Sequence, residues 1–306
     1  MKFNQLRDFV AVAEQGSIRG AARVMNLAQP AMTRSIQELE YSLGVKLFIR
    51  EGRGVTLTSA GKDLLSRATL ILNEIRKAKE GMTQFSGHEE GSITIGMSIV
   101  GHLAIMVNTL DHFKKRYPKV KVKLIEGFLP TLENDLKTGG IDFYIGPFPQ
   151  NYKDQELISE KLFDNERVIL CRKGHPLENA KSISDLVDAH WLTTSITYDA
   201  MDELEYVFTS NNLPKPILSF QCQSALSILT VLSTTDSLAM MPIQWCQSDL
   251  TQHLLSHIRV NERFAAPPIH VIRRAGLGLT PAGEYLLHLM KLESEEVSIK
   301  VSNFHQ

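Results

Sequence analysis

The sequence lacks the paired cysteines and clustered histidines that form disulfide frameworks or metal sites. Its three cysteines, Cys171, Cys222 and Cys246, are far apart, and there is no CxxC pair. The ten histidines are scattered, and no G-x-S-x-G, P-loop or H-E-x-x-H motif occurs. We therefore expect no metal, no cofactor and no enzyme activity.

Long apolar runs are also missing. No stretch approaches the ~18 uninterrupted apolar residues of a membrane span, and the N-terminus has no charged-then-apolar leader. We expect a cytoplasmic protein without a membrane partner. With 306 residues, 43% of them hydrophobic, the chain can bury the cores of two or three folded units.

Excess charge of either sign is absent, because the formal net charge is −1. The distribution is uneven, however. Residues 1–60 contain eight Lys and Arg against five Asp and Glu, a net of +3. Positive charge is therefore concentrated at the N-terminus, which favours local docking on DNA over general coating of it.

The segment from Ser17 to Thr58 has the spacing of a winged helix-turn-helix. Two apolar helical faces recur at steps of three and four, formed by Ile18, Ala21, Ala22 and Met25, and by Met32, Ile36, Leu39 and Leu43. Ser17 is a good N-cap for the first helix and Gly44 a plausible stop for the second. Two short strands around residues 51–54 then predict a wing.

Seven positions in this segment are candidates for contact with double-stranded DNA: Gln29, Pro30, Thr33, Arg34 and Gln37 on the second helix, and Arg50 and Arg53 beside the wing turn. Gln and Arg can pair with base edges in the major groove, and an arginine on a thin tip suits phosphates or a narrow minor groove. The alternative is that the helical residues only solvate a surface. The agreement of helix pair, polar face and wing favours DNA.

The stretch AARVMNLAQPAMTRSIQELEYSLGVKLFIREGRGVTLTSAG resembles the N-terminal signature of LysR-type transcriptional regulators. That bacterial family combines a winged helix-turn-helix, a linker helix and an effector-binding domain, and the likeness in element order covers essentially the whole chain. The resemblance implies that Gln29, Pro30, Thr33, Arg34 and Arg53 face DNA. It also implies an interrupted palindrome in a promoter as the target, a dimer or dimer of dimers, and leaves RNA polymerase open as a partner. Ala28 departs from the serine common in the family.

A heptad-like seam follows the wing. It comprises Leu64, Ala68, Ile71, Ile75, Ala78 and Met82, which recur at steps of four and three. Because this stripe is narrower than the core face of an ordinary packed helix, we expect it to pair with the same helix of a second chain. The alternative is that it packs on the effector domain of its own chain.

The remaining chain alternates strands with helices, which predicts an α/β domain with parallel sheets. We expect a head at 1–58, a linker helix and hinge at 59–90, and a two-lobed effector domain at 91–306, like those of periplasmic solute-binding proteins. Lobe I would comprise 91–161 and 267–306, and lobe II 162–266.

In such folds ligands bind where strands end and helices begin. The candidate effector contacts are Ser98, Ile99, Val100, Phe128, Gly146, Phe148, Thr194, Ser195 and Ser224. Taken singly, each fits a simple helix cap better than a ligand contact, but together they lie where the cleft between the lobes should be. Hydroxyls and N–H groups suit a carboxylate, whereas the acidic run at 199–205 would favour a cationic amine. A redox-sensing regulator using Cys222 and Cys246 is the alternative function.

Overall fold

The N-terminal head consists of three helices and a two-stranded wing, as the sequence predicts. The computed structural model describes residues 1–52, 54–149, 152, 155–194 and 199–303. The head elements are helices α1 (Phe3–Gln15), α2 (Ile18–Val24) and α3 (Gln29–Leu43) and strands β1 (Phe48–Glu51) and β2 (Gly54–Leu57). The strands pair antiparallel, with Glu51 opposite Gly54 beside the turn.

The head has its own apolar core. Phe9, Met32 and Leu39 are fully buried, and the Phe9 and Phe48 ring centroids lie 5.3 Å apart. This contact joins α1 to the base of the wing. The apolar periodicity of the sequence thus corresponds to the face that each helix buries.

The linker helix α4 (Ser59–Phe85) begins at a side-chain cap, since the Gly61 N–H donates to Thr58 Oγ1 at 2.9 Å. Its first turns pack against the head. Ala68 is fully buried in the head core, and Leu64 packs on that core from outside. The assignment of Ala68 to a dimer seam is therefore wrong, and Leu64 contacts its own head, because the first half of the seam closes the core beneath the helix-turn-helix.

The second half of α4 lies along the effector domain of the same chain. Asn73 Nδ2 donates to the Thr138 carbonyl at 2.9 Å, and Lys77 Nζ lies 3.1 Å from the buried Asp142 carboxylate. These contacts use polar residues rather than the apolar seam. Ile71 and Met82 stay 39% and 62% exposed, so part of the seam remains available to a partner.

Beyond the linker helix the chain forms eleven further strands, seven α-helices and one 3-10 helix within the described residues. In chain order these are β3 (Gly91–Met97), α5 (Ile99–Ala104), α6 (Met106–Arg116), β4 (Val120–Glu126), α7 (Leu129–Lys137), β5 (Phe143–Pro147), β6 (Leu157–Phe163), β7 (Glu166–Arg172), the 3-10 helix Ile183–Leu186, β8 (His190–Thr194), α8 (Asp199–Ser210), β9 (Ile217–Cys222), α9 (Ala225–Thr234), β10 (Ala239–Pro242), α10 (Gln244–Gln247), β11 (Leu255–Ile258), β12 (Phe264–Ala265), β13 (Ile269–Arg274) and α11 (Pro281–Asn303).

Lobe I contains a five-stranded sheet of order β4-β3-β5-β13-β6. Strands β4 and β5 run parallel to β3, whereas β13 is antiparallel to both of its neighbours. The expectation of parallel sheets is therefore wrong at the edge where the chain returns from lobe II, and it is also wrong for the sheet around β7, whose strands are antiparallel. Since β6 pairs with β13 along its length, lobe I extends to Phe163, and the predicted boundary at 161/162 lies inside a strand.

Lobe II is organised around β7, which pairs antiparallel with β10, β11 and β12. The residues of β7 alternate between two apolar cores: Val168 and Leu170 face one, and Ile169 and Cys171 face the other. Strands β8 and β9 are parallel and join β10 through backbone bonds between Leu192 and Leu238 and between Leu238 and His190. None of the described helices has a segment long and apolar enough to cross a membrane.

Candidate DNA-binding face and effector cleft

Helix α3 presents a free polar face opposite a buried apolar one. Met32, Ile36 and Leu39 are buried in the head, while Gln29 and Arg34 are exposed on the other side. The same free face carries exposed Pro30 and Gln37, half-buried Thr33 and, at 90% exposure, Tyr41. Within the described chain Arg34 forms no ion pair, so its guanidinium is available to an anionic or base-edge partner.

The flank of α3 is fixed to the rest of the head by polar contacts. Ser35 Oγ donates to Asp8 Oδ2 at 2.6 Å, and Glu40 accepts the Leu47 N–H at 2.9 Å and Lys46 Nζ at 2.7 Å. Burial acts to raise the pKa of Glu40, but these hydrogen bonds outweigh it and hold the pKa below its ordinary value. The ionised carboxylate thereby anchors the recognition helix to the base of the wing.

The N-terminus of α3 starts without a side-chain cap. Ala28 occupies the cap position, and Pro30 lies in the first turn. Thr33 Oγ1 donates back to the Gln29 carbonyl at 3.0 Å. Pro30 has no N–H, and the Ala31 and Met32 N–H groups donate to the Ala28 carbonyl at 3.0 and 3.2 Å. In this first turn the Gln29 N–H is therefore the group left for water or for a DNA phosphate.

The wing lies beside this helix and is held to the head by the α1–α2 turn, where the Val55 N–H donates to the Gly16 carbonyl at 2.9 Å. Arg50 pairs with Val55 in the ladder, and its side chain is exposed. Arg53, predicted at the tip, lies outside the described residues.

A second site lies between the lobes, as a cleft of about 620 Å³. Lobe I contributes the β3–α5 and β4–α7 junctions, and lobe II contributes β8, α9 and β10. Asn165 and Pro267 line it where the chain crosses between lobes. Most of the lining is apolar or aromatic, including Phe128, Phe148 and Trp245.

Three buried polar atoms in the cleft lining make no hydrogen bond of standard geometry in the described chain: Ser98 Oγ, Asn165 Oδ1 and Trp245 Nε1. Ser98 and Trp245 are each 2% exposed. The Ser98 hydroxyl lies near that of Tyr144, which donates to the Gly127 carbonyl at 3.3 Å. Because an unsatisfied buried polar group costs free energy, these atoms indicate where a ligand or water would be bound.

The described lining contains three charged side chains, Glu126, Arg167 and Glu203. Arg167 Nη1 lies 2.6 Å from Glu203 Oε2, which joins β7 to α8 within lobe II. Glu126 is exposed at the end of β4 and forms no ion pair in the described chain.

Two domain families match the chain. Residues 3–62 match the family described as bacterial regulatory helix-turn-helix protein, lysR family, and residues 86–293 match the LysR substrate binding domain. The chain belongs to the LysR family. It is a DNA-binding transcriptional regulator with a substrate-binding domain for effectors.

Full-length relatives support this assignment. The chain is 24% identical over 298 residues to the transcriptional regulator GbpR of Azospirillum brasilense, covering 96% of this chain and 87% of that protein. It is 27% identical over 241 residues to TdcA of Escherichia coli K12, covering 79% and 77%. The fold is similar to that of the LysR family regulator CbnR, with a TM-score of 0.66 at 20% identity, covering 96% of this chain and 99% of CbnR. CbnR has also been solved with its target DNA.

The cleft of this LysR-type regulator brings together most of the positions predicted from sequence. Those that line it are Ser98, Ile99, Val100, Phe128, Phe148 and Thr194. Ser195 lies outside the described residues. Sequence reasoning missed Asn165, Arg167, Gln223 and Trp245, because no local pattern shows that β7, α9 and α10 meet the first strand of lobe I.

Two predicted effector positions have other roles. Gly146 is buried within β5 and does not line the cleft; a β-carbon there would lie 2.6 Å from Cε1 of Tyr144, so the glycine makes room for that ring. Ser224 caps α9, accepting the Ser227 N–H at 3.2 Å, and is absent from the cleft lining. Neither residue therefore lines the effector cleft, contrary to the prediction from sequence.

The redox alternative gains no support from the three thiols. Burial raises the pKa of Cys171 to about 12 and that of Cys246 to about 11, and it also raises the pKa of Cys222. Thiolates are the reactive form, so these environments suppress oxidation. All three cysteines are free, and the described residues contain no cluster able to hold a metal ion.

Proposed function

We propose that this LysR-type regulator reads promoter DNA with Gln29, Pro30, Thr33, Arg34 and Gln37 of α3, supported by Arg50 and Arg53 of the wing. The observation that carries the proposal is the free polar face of α3, whose opposite face is buried in the head core. Residues at this spacing can reach successive base edges when a helix lies in the major groove.

Two heads are needed to read a palindrome, and α4 offers a surface for pairing them. Ile71 and Met82 are exposed on the face of α4 that its own effector domain leaves uncovered, and Ile75 and Ala78 lie between them. We place a homodimer contact on this second half of the seam. A dimer places two copies of α3 on an interrupted palindrome, and two dimers form the tetramer that the family resemblance implies. A regulator of promoters works in the cytoplasm, and RNA polymerase is the partner it would influence.

We further propose that the effector binds in the interlobe cleft and acts on DNA binding at a distance. The cleft is separated from α3 by lobe I and α4, which are joined by the Lys77–Asp142 ion pair and the Asn73–Thr138 hydrogen bond. A ligand that binds one arrangement of the lobes better than another therefore shifts the equilibrium towards that arrangement. If this shift changes operator affinity by some factor, operator DNA must change effector affinity by the same factor.

Selection of DNA from a random library by the full-length protein tests the DNA-reading part. We expect enrichment of an interrupted palindrome. Arg34→Ala should lose ~1–3 kcal/mol of discrimination per half-site, because paired base contacts carry specificity. Lys119→Ala is the matched control, since Lys119 is a 71% exposed cation on lobe I. Equal losses on selected and random DNA for Arg34→Ala would contradict the assigned face.

A further inference from the structure

The charged side chains of the interlobe cleft disfavour the binding of anionic ligands. Its described lining has two carboxylates, Glu126 and Glu203, and one cation, Arg167. A carboxylate ligand needs a free cation or several free N–H donors to replace its hydration. Within the described lining, only Arg167 could supply the cation.

Arg167 is already occupied. Its Nη1 lies 2.6 Å from Glu203 Oε2 and 3.4 Å from the Ala265 carbonyl, and its side chain is 19% exposed. Arg167 on β7, Glu203 on α8 and Ala265 on β12 all belong to lobe II. Closing or opening the lobes therefore does not by itself separate them. An incoming carboxylate must displace Glu203 or share the guanidinium with a like charge, and either event costs affinity.

The remaining polar groups suit a ligand with few, directional hydrogen bonds. Ser98 Oγ can donate or accept, Trp245 Nε1 can only donate, and the Asn165 amide can do both. Phe128 and Phe148 from lobe I provide apolar surfaces in the same lining. An aromatic ring with one or two neutral or cationic polar groups meets this set of contacts.

We propose that the cleft takes an aromatic effector that is neutral or cationic, and that the Arg167–Glu203 pair excludes aromatic carboxylates. This inference rests on the proposed function in one respect, namely that the cleft is the effector site.

Three aromatic probes of similar size differ in charge: benzyl alcohol, benzylamine and benzoate, each titrated calorimetrically into the full-length protein. We expect benzyl alcohol or benzylamine to bind at least about tenfold more tightly than benzoate, since a hydrogen bond to a charged group is typically worth that factor or more. Glu203→Gln frees the guanidinium, so its benzoate affinity should rise about tenfold or more. Glu205→Gln is the matched control on the same helix, because Glu205 pairs with Lys215 and is absent from the cleft lining.

Each contrary outcome identifies what fails. The proposed ligand class is overturned if the wild-type protein binds benzoate as tightly as the other two probes, or if it binds none of the three. A folded Glu203→Gln variant with unchanged benzoate affinity overturns the role of the ion pair. Thr194→Trp fills the cleft and should abolish probe binding while circular dichroism stays normal. Probes that still bind this variant would show that the cleft itself is not the site, whereas DNA reading through α3 would stand unaffected.

Discussion

Gly61 of the linker helix offers the sharpest test of how the head is assembled. It lies in the first turn of α4, against the base of the wing. A β-carbon on Gly61 would overlap the Leu47 carbonyl oxygen and lie 3.0 Å from Leu57 Cδ2. The same carbonyl accepts the Thr58 N–H at 3.0 Å, so it cannot move aside without weakening the start of the helix. We therefore expect Gly61→Ala to push α4 away from the wing.

The magnitude follows from two opposing effects. Overpacking typically costs about 1–3 kcal/mol, and a backbone obstacle belongs at the upper end of that range. Alanine in a helix recovers at most about 1 kcal/mol relative to glycine. The net loss is about 2 kcal/mol, which for a unit of roughly 60 residues lowers the midpoint of thermal unfolding by ~8–16 °C.

Gly81 provides a matched control in the same helix. It is also buried, but the nearest atom to a β-carbon there would be Pro281 Cδ at 4.0 Å. Gly81→Ala should therefore raise helix stability by about 0.5–1 kcal/mol. The measurement is thermal unfolding by circular dichroism, with hydrogen exchange of the β1–β2 peptides and operator affinity as readouts of the head. A Gly61→Ala protein that unfolds at the wild-type temperature and binds operator normally would refute the proposed packing.

The remaining predictions concern assembly and the thiols. Changing both Ile71 and Met82 to aspartate should dissociate the dimer in analytical ultracentrifugation and weaken operator binding, because two charges would enter an apolar contact. The control Thr83→Asp, further round the same helix, should leave the dimer intact. A double variant that still pairs through α4 would contradict the proposed seam. With the pKa of Cys246 near 11, only ~0.1% of the thiol is ionised at pH 8, so iodoacetamide should modify it at least about 100-fold more slowly in native than in unfolded protein. The rate should rise as pH increases towards 11, and equal rates in the two states would reopen the redox alternative.

The head could be read from sequence because its information is local. Helical periodicity, the Ser17 cap, the Gly44 stop and the wing turn each depend on residues only a few positions apart, and these signals placed α3 and its free face correctly. The family resemblance extended these local readings to the whole chain.

Only the tertiary structure decided which of several similar positions are buried, which are exposed and which line the cleft. Ala68 and Ile71 belong to one apolar stripe, yet one is buried in the head and the other is exposed, because α4 passes from the head to lobe I along its length. Strand β6 carries mostly exposed residues and so has no apolar pattern to mark it. The cleft combines Ser98, Arg167 and Trp245 from distant segments, and the pairing of Arg167 with Glu203 depends on how α8 packs on β7. Sequence spacing specifies the face of a helix or strand, whereas the partner of that face is set by packing between elements far apart in the chain.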